Sequence, residues 1–184
     1  MTNEQKRIMM EKINSMIEQI PTSKDSGLKG KIAELQACYY CGVFRLKPNP
    51  AGKRDLYIYN GSRTRRYSIE IKTGGGELRT LAQDGTVTST IEGNDFTAWC
   101  PRYDPLGDLD QLTVQITEEF IDELESLNLA RPKGATGAKY HNKYTIQSYD
   151  PNPEKLNCGR NCNLRDVHSI GIPFTKFYAM IKAQ

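Results

Sequence analysis

The sequence contains no long hydrophobic run, and no segment approaches the ~20 consecutive apolar residues that a membrane-spanning helix needs. The first residues, Met1 to Arg7, form no apolar signal segment, so we predict a cytoplasmic protein without a membrane partner. Neither sign of charge dominates, because 25 Lys and Arg against 22 Asp and Glu give +3 over 184 residues. A net charge this small permits a nucleic-acid partner without indicating one.

Cysteine is scarce, and its count of five is odd, which argues against a disulfide framework. Two pairs of cysteines are close in sequence, Cys38 with Cys41 and Cys158 with Cys162, and a zinc site with four thiolate ligands is one interpretation of them. The first pair falls in a predicted helix and the second has a three-residue spacer, so buried or loop thiols are the favoured interpretation. The two histidines are isolated in the sequence and are not included in the predicted site.

The length of the chain fits one domain with additions at its ends. We predict an N-terminal amphipathic helix within 1–24, a core over 25–127 and a basic, aromatic extension over 128–184 that packs on the core. The order of helices and strands within the core indicates a mixed α/β sheet flanked by helices.

Three helices are predicted from apolar residues at three- and four-residue intervals. The first covers residues 3–20 and ends at Pro21. It either packs on the core, which is the simpler interpretation, or joins two copies in a homodimer. The second runs from the polar stretch 22–26 to about Cys41, with Gly42 as its C-cap. The third covers 118–127, with Thr117 as its N-cap.

Strands are predicted at 42–46, 95–101 and 111–116, and a short helix at about 78–83. The closing segment, 171–181, is predicted as either a strand or a short helix.

A hairpin of two strands, 54–59 and 67–73, joined by the loop 60–66, is the centre of the prediction. Period-2 spacing places four aliphatic side chains on one face: Leu56, Ile58, Ile69 and Ile71. The other face carries Asp55, Glu70 and Lys72. Two converging carboxylates repel each other, which is costly for a fold alone but suits a divalent cation with a water beside it.

Glu34 lies in the middle of the second helix, just upstream of this hairpin. A helix glutamate is ordinarily solvated, and only its position before the carboxylates makes Glu34 a candidate. The alternative for the hairpin is that Glu70 and Lys72 form an exposed ion pair, with Asp55 an ordinary turn residue.

Glu34, then Asp55, then Glu70-Ile71-Lys72 resemble the active-site motif of the PD-(D/E)XK nuclease superfamily. The similarity covers about residues 25–120 and is greatest to the virus-type replication-repair and Holliday-junction resolvase branches. Arg54 stands where many members have proline. The Gln-x-x-x-Tyr motif of exonuclease branches is not found after Lys72, which favours an endonuclease.

The resemblance implies a restriction endonuclease-like core and Mg²⁺-dependent hydrolysis of DNA phosphodiester bonds, with Mn²⁺ able to substitute. It implies that Asp55 and Glu70 ligate the metal, with the Ile71 carbonyl as an extra ligand. Lys72 would orient or deprotonate the attacking water. Glu34 would orient that lysine or water, or help to hold a second metal.

Basic residues in two segments are predicted to contact the nucleic-acid backbone: Arg63, Arg65 and Arg66 in the hairpin loop, and Lys133, Lys139 and Lys143 in the extension. A solvated loop is the competing interpretation for the extension. The competing functions are an inactive nuclease-fold protein that binds nucleic acid, and a protein-interaction module.

Overall fold

The computed structural model describes residues 1–25, 27–49, 54–73, 78–81, 86–100, 103–126, 131–132 and 171–184. Lys133, Lys139 and Lys143 of the predicted basic segment lie outside these ranges. So do Cys158 and Cys162.

The described residues form four α-helices: α1 (Asn3–Glu18), α2 (Leu28–Tyr40), α3 (Thr117–Ser126) and α4 (Phe174–Lys182). They also form eight strands: β1 (Leu56–Tyr59), β2 (Arg66–Thr73), β3 (Arg79–Leu81), β4 (Val87–Ser89), β5 (Phe96–Cys100), β6 (Thr113–Ile116), β7 (Arg131–Pro132) and β8 (Ile172–Pro173). A short 3₁₀ helix, Leu109–Gln111, precedes β6.

Five strands make the main sheet, in the order β1-β2-β5-β6-β8, with β2 and β5 parallel and the other neighbours antiparallel. The strands β4-β3-β7 form a separate small sheet. The prediction of a mixed sheet is therefore confirmed.

Helices cover both faces of the main sheet. On one face, α1, α2 and α4 enclose a core that includes Met9, Ile32 and Phe174. On the other face, α3 packs over Trp99 of β5, whose ring lies 5.5 Å from that of Phe120. The predicted flanking of the sheet by helices is confirmed.

The first helix begins with a capping box, in which Thr2 and Gln5 each accept a hydrogen bond from the other's backbone. Its apolar side chains Met9, Ile13 and Met16 are buried in the main core. The simpler prediction for this helix, packing on the core, is confirmed.

Residues 42–46 form no strand, so that prediction is wrong. Gly42 has φ of +74° and donates to the Tyr39 carbonyl, and Val43 donates to the Cys38 carbonyl across 2.8 Å. These two bonds form a Schellman cap, which satisfies the last carbonyls of α2. The backbone that was predicted to pair in a sheet ends the helix instead. The C-cap is Cys41, one residue before the predicted position, and Gly42 is the positive-φ glycine of the motif.

The predicted short helix at 78–83 is also wrong. Residues 79–81 form β3, which pairs antiparallel with β4 and parallel with β7. Pairing with the nearby β4 and with the distant β7 satisfies the backbone groups that a helix would have satisfied within the segment.

The closing segment contains both of its predicted alternatives, since β8 leads directly into α4. Asp110 holds the start of α4 by accepting from the backbone and hydroxyl of Thr175, each across 2.8 Å. At its other end, Lys182 Nζ donates to the Tyr59 carbonyl across 2.7 Å, and Tyr67 donates to Gln184 Oε1 across 3.0 Å. These two hydrogen bonds connect Lys182 and Gln184 to the β1–β2 hairpin.

Cys38 is fully buried in the main core, and burial raises the pKa of its thiol to about 12. It therefore acts as a small core side chain, as the favoured interpretation holds. Within the described ranges, every helix is too short or too polar to cross a lipid bilayer.

Candidate active site

The predicted hairpin is confirmed. Leu56 pairs with Ile69, and Ile58 with Tyr67. Its four aliphatic side chains are buried in the main core. The side chain of Asn60 holds the loop together by accepting from the Arg65 N–H and donating to the hydroxyls of Ser62 and Thr64.

Asp55 immediately precedes β1, and one more step of the pairing register places it opposite Glu70. Its Oδ2 accepts a hydrogen bond of 2.7 Å from the Ile71 N–H. The carboxylate is therefore fixed against β2 by the backbone of the central residue of Glu70-Ile71-Lys72.

Glu70 and Lys72 are two residues apart on β2 and so share one face. Lys72 Nζ lies 2.7 Å from Glu70 Oε1, and 26% and 13% of the two side-chain surfaces are exposed. The ion pair of the alternative interpretation is present, but it is largely buried and stands beside Asp55 rather than on an open strand.

Glu34 is only 6% exposed, on the side of α2 that packs against the sheet. Its Oε1 accepts from Arg45 Nη1 across 2.7 Å and from the Asn49 N–H across 2.8 Å. Arg45 Nη1 also donates to the main-chain carbonyl of Asp55 across 2.5 Å. Arg45 thus connects Glu34 to the backbone of the candidate ligand Asp55.

Sequence reasoning did not find Arg45 or Asn49. Both lie in the loop after α2, where no periodicity or motif indicated that they face a buried glutamate. A buried carboxylate needs a cation or hydrogen-bond donors nearby, so burial of Glu34 would have predicted a partner such as Arg45. Nothing in the sequence indicated that Glu34 is buried.

The charges of the three carboxylates influence one another. Burial, and next the negative charge of Glu70, raise the pKa of Asp55 to about 7, against an ordinary value of 3.8. Burial also raises the pKa of Glu34, with Glu70 adding to that effect and the bonds from Asn49 and Arg45 opposing it. These electrostatic effects place Glu34, Asp55, Glu70 and Lys72 in one region at the start of the hairpin, and their role as a catalytic set stays a prediction.

Among the described residues, no group of three or more His, Cys, Asp or Glu side chains is arranged so that it could hold a metal ion. The donors present at the hairpin are carboxylate oxygen atoms. A divalent cation would offset the two effects that raise the pKa of Asp55, which are burial first and the negative charge of Glu70 second. Mg²⁺ is usually held by one or two carboxylates and retains several waters. The chemistry of Asp55 and Glu70 fits that mode.

Arg63 and Arg65 lie in the hairpin loop, and Arg66, which was predicted in the loop, is the first residue of β2. All three are exposed, at the end of the hairpin away from Asp55. The guanidinium of Arg66 lies 4.5 Å from the ring centre of Tyr57, and that of Arg65 lies 4.7 Å from the ring centre of Tyr67.

A cavity of about 820 Å³ lies beside Asp95 and the start of α3, and Glu118 and Asp122 also line it. None of the four predicted catalytic side chains borders this cavity. The candidate site lies instead at the end of the hairpin opposite its loop, where β1 begins.

No protein-family model, no curated protein and no solved structure matches the chain.

Proposed function

We propose that the protein is a Mg²⁺-dependent nuclease that hydrolyses phosphodiester bonds of DNA, acting as an endonuclease with a restriction endonuclease-like core. The observation that supports this most strongly is the convergence of Asp55, Glu70 and Lys72 at one end of the hairpin. Asp55 is buried there at the cost of a raised pKa. A pair of carboxylates and a lysine serves metal-assisted hydrolysis well and a structural role poorly.

Asp55 and Glu70 would hold the metal, with the Ile71 carbonyl as a further oxygen donor. Mn²⁺ would substitute, because it accepts the same oxygen ligands. When bound, the metal offsets the negative charge of the phosphate that is cleaved.

Lys72 orients the attacking water and offsets negative charge that develops on the phosphate oxygens. Its 2.7 Å contact with Glu70 holds the ammonium group beside the carboxylates. Glu34 acts through Arg45, which fixes the main chain at Asp55, and Glu34 is in this proposal a positioning residue.

Arg63, Arg65 and Arg66 contact DNA phosphates, and so, in this proposal, do Lys133, Lys139 and Lys143. Contacts of this kind supply affinity without reading the base sequence.

A second candidate function is a catalytically inactive protein that keeps the fold and binds nucleic acid. It is favoured by the same ion pair, since Lys72 neutralises the Glu70 oxygen that would ligate the metal.

A cleavage assay distinguishes these two functions. The protein is incubated with plasmid, single-stranded or branched DNA in the presence of Mg²⁺, Mn²⁺ or EDTA. We expect metal-dependent cleavage that falls at least about 100-fold in Glu70→Ala and Lys72→Ala, as for loss of groups that stabilise a transition state. The exposed ion pair of Lys31 with Asp25, at 2.6 Å, supplies the matched controls Lys31→Ala and Asp25→Ala, which should cleave like wild type. Identical metal-independent products from wild type and all variants would show that the protein is not a nuclease.

A further inference from the structure

Two large aromatic side chains of β1 face outward beside the candidate site. Tyr57 is 41% and Tyr59 is 46% exposed, whereas the alternating residues Leu56 and Ile58 are buried in the main core. The core packing of β1 is therefore complete without either tyrosine. Paired exposed aromatics on one strand face are typical of a binding surface.

Positive charge accompanies these rings. Arg66 pairs directly with Tyr59 across the hairpin, and its guanidinium lies 4.5 Å from the ring centre of Tyr57. Arg63 and Arg65 are exposed in the adjoining loop. We call Tyr57, Tyr59 and Arg66 the aromatic platform. Its rings can stack on bases, and its guanidinium can bind phosphate.

The platform shares its sheet face with the candidate catalytic residues. Tyr57 pairs with Ser68, and residues directly opposite in a hairpin share a face. Ser68, Glu70 and Lys72 alternate along that same face of β2. At about 3.3 Å per residue, Tyr57 lies roughly 7 Å and Tyr59 roughly 13 Å along the strand from the level of Glu70.

On this face the side chains of Tyr57, Tyr59 and Arg66 are exposed, whereas Ser68 is buried and Glu70 and Lys72 are largely buried. The two exposed rings and the three exposed arginines fit a polyanion with exposed bases.

We infer that the substrate is a single-stranded DNA segment whose bases stack on Tyr57 and Tyr59 and whose backbone binds Arg66, with the phosphate to be cleaved at Asp55, Glu70 and Lys72. In a duplex the base faces are covered by neighbouring base pairs, so the rings would have nothing to stack on. An unpaired strand presents those faces. The inference rests on the proposed nuclease function and adds the class of substrate to it.

Binding is measured by fluorescence anisotropy in EDTA, where no metal-dependent cleavage occurs, with a labelled single-stranded 20-mer and the duplex of the same sequence. Tyr57→Ala and Tyr59→Ala are each expected to weaken single-strand binding about tenfold, as for loss of one base–aromatic stack. Tyr57→Phe and Tyr59→Phe, which keep the ring, should stay within about twofold of wild type. Tyr40, 45% exposed at the end of α2, supplies the matched control Tyr40→Ala, with unchanged affinity.

The salt dependence separates stacking from phosphate binding. Arg66→Gln should reduce the slope of log affinity against log salt by about 0.7, as for one phosphate contact on a single strand. Tyr57→Ala should lower the affinity and leave the slope unchanged. Thermal unfolding tests whether each variant is folded. If an alanine variant does not fold, the leucine variant at the same position, Tyr57→Leu or Tyr59→Leu, is measured instead.

Equal or tighter binding of the duplex, or wild-type affinity in the tyrosine variants, would overturn the inference. Cleavage of duplex DNA that is insensitive to both tyrosines would overturn it too, while leaving the nuclease function intact. Failure of wild type to cleave any DNA with metal would instead remove the nuclease function, whatever the anisotropy measurements give.

Discussion

Arg45 donates to Glu34 across 2.7 Å, and this ion pair is largely buried between the loop after α2 and the helix itself. The same Nη1 atom reaches the Asp55 carbonyl. One guanidinium therefore compensates the buried charge of Glu34 and holds the chain at the point where β1 begins. The position of Asp55 depends on a residue ten positions before it.

Arg45→Ala is expected to destabilise the protein by about 3–5 kcal/mol, because it leaves Glu34 as a buried charge without its cation. Adding Glu34→Gln to that variant should recover part of the loss, since a neutral amide costs less to bury. Urea unfolding measures both effects. Lys31→Ala, which breaks the exposed Lys31–Asp25 ion pair, is the control and should remain close to wild type. Equal stability of Arg45→Ala and Lys31→Ala would contradict a structural role for the buried pair.

Stability of the metal-free protein should fall as pH rises from about 4 to about 7. The pKa of Asp55 is about 7 in the fold against an ordinary 3.8, so folding is favoured by the protonated carboxyl. That contribution is complete below pH 3.8 and is lost as pH rises through 7. Asp55→Asn keeps an acceptor for the Ile71 N–H and removes the charge. It should match wild type near pH 4 and exceed it by a few kcal/mol at pH 8.

The comparison of Asp55→Asn with wild type over pH isolates this carboxyl from others that titrate in the same range. Asp122→Asn, at an exposed position of α3, is the control and should run parallel to wild type. A constant difference between Asp55→Asn and wild type across pH 4–8 would refute the raised pKa.

Mg²⁺ should raise the melting temperature more at pH 8 than at pH 5.5, because a protonated Asp55 cannot ligate the ion and ligand binding to the folded state stabilises it. The effect should disappear in Asp55→Asn and Glu70→Ala and persist in Asp122→Asn. Thermal unfolding at a series of Mg²⁺ concentrations measures it without reference to cleavage. An equal Mg²⁺ effect in all four proteins would mean that the ion binds elsewhere.

Gly30→Val should displace α2 from β2 and thereby change the position of Glu34 relative to the candidate site. A Cβ at Gly30 would lie 3.1 Å from Thr73 Oγ1, so α2 approaches the end of β2 closely there. Glu34 follows one turn later on the same side of α2. A branched side chain would push the helix away from the strand, with an expected loss of about 1–3 kcal/mol and a larger fall in cleavage.

Lys29→Val tests the same branched residue at the exposed neighbouring position of α2 and should lose only helix propensity. If the two valine variants unfold and cleave alike, the close approach at Gly30 does not position the site.

The hairpin was predictable because it is local. Its strands are consecutive, and their alternation places Leu56 and Ile69 on the buried face within the sequence itself. Asp55, Glu70 and Lys72 then follow from the register. The end of α2 at Gly42 was predictable for the same reason, since the cap involves only adjacent residues.

Predictions failed where distant segments decide the structure. The strand β3 lies between the nearby β4 and the distant β7, and the parallel partner β7 could not be inferred from residues 78–83. Arg45 acquires its role only when the loop after α2 folds back on Glu34. The parallel pairing of β2 with β5 likewise joins segments that no local pattern relates.

The fastening of α4 to the hairpin has a consequence for the order of folding. The hairpin closes between residues that are near in sequence, whereas the bond from Lys182 to Tyr59 joins positions 123 residues apart. Contacts of such long range form late, because the chain must lose the entropy of the whole intervening loop first. Pulsed hydrogen exchange during refolding should therefore show β2 amides protected before those of α4. The β1–β2 hairpin that carries the candidate site would therefore form early, and its contact with Lys182 of α4 would form late.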